Sequence, residues 1–124
     1  MSHSRAQVTV WVKRHAGSGV VCVNLAGEAD LSNAGSVRDH LMGLVNSTEK
    51  QLDRIDLDLS QLGFCDCATL TVLIQIHQAA AAKGCPVTIS AAAPIPALLL
   101  RLSGVDQVFD FDAPDSAAIT GTRV

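Results

Sequence analysis

With 124 residues and 48% apolar side chains, the chain is long enough to bury one hydrophobic core, and its composition excludes a disordered tail. Only 17% of the residues are charged and the formal net charge is −3, which argues against direct nucleic-acid binding through phosphate contacts. Four cysteines (Cys22, Cys65, Cys67 and Cys85) in so apolar a chain read as reduced thiols rather than as a disulfide framework.

The amino-terminal MSHSRAQVTV has no apolar run of the secretory kind, so the expected location is the cytoplasm. QVTVWVK alternates Val8, Val10 and Val12 against Trp11 and reads as a strand; VVCVNLAG is a second, with a hairpin through Gly17 and Gly19. Ala34, Val37, Leu41, Leu44 and Val45 then recur at helical spacing, with Asp30 or Ser32 as the expected N-cap. After the polar loop NSTEKQLD comes the third strand, IDLDLS, with Ile55, Leu57 and Leu59 on one face and Asp56 and Asp58 on the other. From Thr69 the period changes to that of a helix: Leu70, Leu73, Ile74, His77 and Ala81 share a face. Asp66 or Cys67 stands at the cap of that helix and Lys83-Gly84 at its end. PVTISA is a fourth strand. PALLLRLSG is a short helix stopped by Gly104, and 107–111 offers a last edge strand before a frayed tail at 113–124. The most apolar stretch, 91–100, is about half the length a membrane span requires, so no membrane partner is expected. The order β-β-α-β-α-β-α-β over a single domain, 1–124 with its core at about 6–112, implies an α/β fold with a mixed or largely parallel sheet covered by helices on at least one face.

Cys65-Asp66-Cys67, at the mouth of the third strand, invites three chemical readings. A zinc site needs about four placed ligands, and one Cys-x-Cys pair with the scattered His3, His15, His40 and His77 does not supply them; no metal or other cofactor is assigned. A thiol enzyme would use Cys67, whose place near a helix N-terminus favours the thiolate while Asp66 opposes it. Its only tempting base, His77, lies ten residues along the same helix, roughly 15 Å away, so no catalytic residue is assigned and His77 reads as a half-buried, hydrogen-bonded side chain. A redox switch through Cys65 and Cys67 is the third reading.

The segment IDLDLSQLGFCDCATLTVLIQIHQAAAAKG resembles the central segment of STAS domains, shared by anti-sigma-factor antagonists and the cytoplasmic tails of sulfate transporters. In that family an Asp- and Leu-rich strand leads to Asp-Ser-Ser-Gly and a helix beginning with Leu; Asp66, Cys67, Ala68, Thr69 and Leu70 stand at those places here. LAGEADLSNAGSVRDHL resembles the Gly-Glu-Leu-Asp segment and first helix, with Asp30 at the characteristic aspartate, and LLLRLSGVDQVFDF resembles the family's ending.

The resemblance implies a STAS-type domain with a four- to five-stranded mixed sheet and helices mainly on one face. It also implies a non-enzymatic antagonist, a monomer or weak homodimer, that binds an anti-sigma factor, often a histidine-kinase-like ATPase, and frees a sigma factor. The expected partner-binding residues are Asp30, Asp66, Cys67, Ala68 and Thr69. In many antagonists the kinase phosphorylates the second serine of the loop, and the added charge of about −1.5 to −2 breaks the complex. Ala68 occupies that place and has no hydroxyl, so the usual switch is absent; Thr69 is the one remaining acceptor in the loop, and Cys65 and Cys67 are the candidates for redox control. The competing classes are a non-enzymatic STAS scaffold or ligand-binding subunit of another complex, and a small cysteine-dependent enzyme.

Overall fold

Alternation in the first two apolar segments forms β1 (Val8–Arg14) and β2 (Val20–Ala29), an antiparallel pair whose turn uses Gly17 at φ 77°. The structure, a computed structural model, describes residues 7–47, 52–107 and 109. The chain continues through α1 (Ala34–Val45), β3 (Arg54–Cys65), α2 (Cys67–Ala81), β4 (Val87–Ala92) and α3 (Pro94–Ser103), and a 3-10 turn follows at Val105–Gln107. The sheet runs β1-β2-β3-β4, with β2, β3 and β4 mutually parallel and β1 antiparallel at one edge. This is the mixed sheet of the α/β domain expected from the chain order, with four strands among the described residues.

One face of the sheet is the core. Val21, Val23 and Leu25 of β2, Ile55, Leu57 and Leu59 of β3, and Val87 and Ile89 of β4 are all buried there. They join Val37 and Leu41 of α1, Leu73 and Ile76 of α2, and Ala97 and Leu100 of α3 in one cluster. Each Val, Leu or Ile among them removed from water contributes about 1.5–3 kcal/mol before chain entropy is counted, so this face holds the domain together. On the opposite face Asp56 accepts from Arg54 Nε at 2.7 Å and from Thr88 Oγ1 at 2.6 Å, while Asp58 accepts from Asn24 Nδ2 at 3.2 Å. The two aspartates are thus tied into a surface network across β2, β3 and β4.

Four details depart from the sequence reading. First, β3 does not end with IDLDLS. After a register shift opposite Asn24 to Ala26 it pairs Gln61, Leu62, Phe64 and Cys65 with β2, so the segment expected as loop is strand through Cys65. Gly27 is required in this stretch: its φ is 102°, and a Cβ there would fall on the Gln7 carbonyl oxygen, which accepts from Glu28 N–H at 2.8 Å. Second, the cap position of α1 is Asn33 rather than Asp30 or Ser32, without a side-chain cap bond, because the turn that Asp30 closes through its carboxylate and carbonyl delays the start of the helix. Third, the buried side of α2 is Thr69, Leu70, Val72, Leu73, Ile76 and Ala80, while Ala81 is exposed. This helix packs against both the sheet and α1, and its alanine-rich end carries no pattern to say which side is inward. Fourth, His77 Nδ1 is buried without a hydrogen-bond partner among the described residues. Its ring instead sits against Phe109, with centroids 5.2 Å apart, because that neighbour offers no polar atom.

Gln107 belongs to the 3-10 turn and not to a strand; the rest of the expected edge strand apart from Phe109, the tail 113–124, His3 and residues 48–51 of the polar loop lie outside the described residues. Among the described residues no helix is long and apolar enough to cross a membrane.

Candidate functional site

Because β2 and β3 are parallel neighbours, with Ala29 paired to Cys65, the loops that leave their carboxyl ends lie side by side. Helices α1 and α2 begin there. Open α/β sheets present their binding surfaces at this end, and the exposed N–H groups of helix starts favour acidic partners in their first turn.

Asp66 joins the two loops. It is the N-cap of α2, with extended backbone at φ −122° and ψ −173°, and its Oδ1 accepts from Thr69 N–H at 3.2 Å. The same oxygen accepts from Thr69 Oγ1 at 3.5 Å. The other oxygen, Oδ2, accepts from Leu31 N–H in the neighbouring loop at 3.2 Å. One carboxylate therefore starts a helix and fastens the turn that contains Asp30.

That turn is closed by its own side chains. Asp30 Oδ1 accepts from Ser32 N–H at 2.8 Å and from Ser32 Oγ at 2.6 Å. Asn33 Oδ1 accepts from Asp30 N–H at 2.9 Å, and Asn33 Nδ2 donates to the Glu28 carbonyl at 3.0 Å. The Ser32 hydroxyl and backbone N–H hold the Asp30 carboxyl below the usual carboxylate range, so it stays ionised at neutral pH.

Exposure rises from buried Cys65 to a single peak at Cys67 and falls again to buried Thr69. Cys65 is 3% exposed; burial, with the charges of Asp66 and Cys67 adding to it, pushes its thiol up to about 11. Cys67, the first residue of α2, is the exposed cysteine of the four. Ala68 is partly buried against the core, and Thr69 is 0% exposed. All five residues singled out in the sequence, Asp30, Asp66, Cys67, Ala68 and Thr69, do meet at this end of the sheet. Their roles in the geometry differ: Asp30 and Asp66 brace, Cys67 faces solvent, and Thr69 is enclosed.

Two residues at this end escaped the sequence reading. Leu31 is 79% exposed between Asp30 and Ser32, and Phe64 is 43% exposed opposite Glu28. Leu31 continues the helical spacing of Ala34, Val37 and Leu41, so periodicity assigns it to the core; only the turn-forming Asp30, Ser32 and Asn33 signal that the helix starts later. Among the described residues no group of three or more His, Cys, Asp or Glu is placed to hold a metal ion.

Comparison with known proteins finds the same fold. A solved anti-sigma factor antagonist from Mycobacterium paratuberculosis matches with a TM-score of 0.71 at 23% identity, covering 95% of this chain and 96% of that one. SpoIIAA, an anti-sigma factor antagonist of Bacillus, matches in its unphosphorylated form with a TM-score of 0.69 at 15% identity, over 93% of this chain and 96% of that one. A sulfate transporter family protein from Wolinella succinogenes matches with a TM-score of 0.66 at 17% identity, over 89% of each chain. At these identities the structures share the fold. The family model described as the Mlab STAS domain matches residues 13–110, which is most of the sequence, and the chain belongs to that STAS-domain family.

Proposed function

We propose that this STAS domain is an anti-sigma-factor antagonist whose partner interface is the paired-loop surface of Asp30, Asp66, Cys67 and Ala68, and that it works without a phosphorylation switch in that loop. The fold it shares with solved antagonists supports the first half of this reading. One observation carries the second. The place of the acceptor serine holds Ala68, and the adjacent hydroxyl, on Thr69, is wholly buried and donates to Asp66. A kinase must reach its acceptor oxygen, and reaching this one requires the first turn of α2 to open. The domain then acts by binding, in the cytoplasm, and an anti-sigma factor of the histidine-kinase-like ATPase type is the partner this reading expects. Control by oxidation would fall on the exposed Cys67, since Cys65 is enclosed and its thiol is held protonated.

A second reading, a non-enzymatic subunit of a transport complex, draws on the likeness to the Wolinella protein of the sulfate transporter family. Capture from native lysate with wild-type and Ala68→Glu baits separates the two. The antagonist reading expects an ATPase-type anti-sigma factor on the wild-type bait and at least about tenfold less on Ala68→Glu, whose added charge stands where the family carries phosphate. A transport complex on the wild-type bait would replace it with the second reading.

A further inference from the structure

The turn between β2 and α1 is braced more heavily than capping one helix needs. Five consecutive backbone N–H groups, Asp30 to Ala34, are all bonded: to Asn33 Oδ1, Asp66 Oδ2, Asp30 Oδ1, and twice to the Asp30 carbonyl. At the apex of this rigid turn the side chain left in water is a leucine, 79% exposed. A lone exposed leucine on a mobile loop would call for no explanation. Here the backbone is fixed before any partner arrives, so the entropy that ordering a loop normally costs at an interface is already spent in folding.

The surroundings indicate what would receive it. Glu28, Asp30 and Asp66 stand at this end of the sheet, with half-exposed Phe64 opposite Glu28. No lysine or arginine occurs in residues 20–37 or 55–82, which supply both loops, β2, α2 and the first turn of α1; the nearest in sequence are Arg38 in the second turn of α1 and Arg54 at the far end of β3. The surface is an apolar point beside acidic side chains.

We propose that Leu31 is the anchor of the partner interface, a preorganised apolar knob that enters a pocket on a partner protein whose pocket rim carries lysine or arginine. The proposal deepens the antagonist reading and rests on it. The bonds that brace the turn use the backbone of Leu31 and the side chains of its neighbours, so the side chain can be changed without disturbing them.

The test uses the purified anti-sigma factor obtained with the wild-type bait and measures its affinity for four full-length proteins: wild type, Leu31→Ser, Leu31→Met and Leu102→Ser. Leu102, on α3, is 77% exposed and controls for loss of any surface leucine. Leu31→Ser is expected to weaken binding by roughly 10- to 100-fold, the range for losing one buried leucine side chain, while Leu31→Met and Leu102→Ser stay near wild type. Amide exchange at residues 30–34 is expected to be as slow in Leu31→Ser as in wild type. Raising salt is expected to slow association of the wild-type pair, as charge steering across an acidic and a basic face requires. Equal affinity for wild type and Leu31→Ser overturns the anchor and leaves the antagonist reading standing, and salt-independent association overturns the basic rim. A wild-type bait that captures no anti-sigma factor overturns both.

Discussion

Asp66 shows how much one carboxylate does in this fold. It holds the first turn of α2 through Thr69 and fastens the neighbouring loop through Leu31. Asp66→Ala removes the acceptor for both, and the expected cost is about 1–3 kcal/mol, read as a lower urea midpoint with an unchanged slope. Asp66→Asn keeps one amide oxygen and should lose less. The cysteines make a second prediction. Iodoacetamide on the native protein should label Cys67 first, whereas Cys65 should react only on unfolding. Cys65 also gives stability a pH dependence. Its thiol ionises at about 11 when folded against an ordinary 9.0, so the unfolded chain loses that proton first. The contribution is full below pH 9, and it declines as pH rises through 9 towards 11. Motif order put Asp30, Asp66 and Ala68 at one end of the sheet, and the structure brings them together there. The enclosure of Thr69 was not legible in the sequence, because a threonine in a polar loop reads as surface until the helix that covers it is built. Leu31 misleads in the opposite direction: it keeps a core period while lying outside the helix.

Among the elements, β3 was the least legible. Ile55, Leu57 and Leu59 alternate cleanly, but the run then breaks at Ser60 and Gln61, and Gly63 reads as a stop. The strand continues because β2 is long enough to pair with it after a register shift, a tertiary fact that no local pattern encodes. That extension matters for the site, since it carries Cys65 to the sheet end and sets Asp66 beside Leu31. Gly27, on the partnering stretch of β2, should therefore be intolerant. Gly27→Ala puts a side chain at φ 102° and onto the Gln7 carbonyl, and a loss of about 1–3 kcal/mol is expected in thermal or urea unfolding. Helix starts and stops were more legible. Asp66 as the cap of α2, and Gly104 in the left-handed conformation at φ 78° after α3, follow from residue chemistry that works over a few positions. The cap of α1 was misassigned by a few residues because Asp30, Ser32 and Asn33 are all good caps; Asn33 takes the position without a side-chain cap bond, its amide being engaged by Asp30 N–H and the Glu28 carbonyl.

For the whole molecule, the element order and the parallel arrangement were evident from the alternation of strand and helix periods, since right-handed crossovers leave few ways to join them. The family is shown by the match over residues 13–110. Ala68 stands in the first turn of α2, in a loop braced by Asp66, and the proposed antagonist works there without a phosphate acceptor. The most direct measurement presents wild type and Ala68→Ser to the captured anti-sigma kinase with ATP, and follows phosphate by mass spectrometry and complex lifetime in parallel. The prediction is that wild type takes no phosphate and stays bound, while Ala68→Ser is phosphorylated at the substituted position and released. Phosphate on Thr69 of the wild type, with release of the complex, would contradict an antagonist that works without the switch.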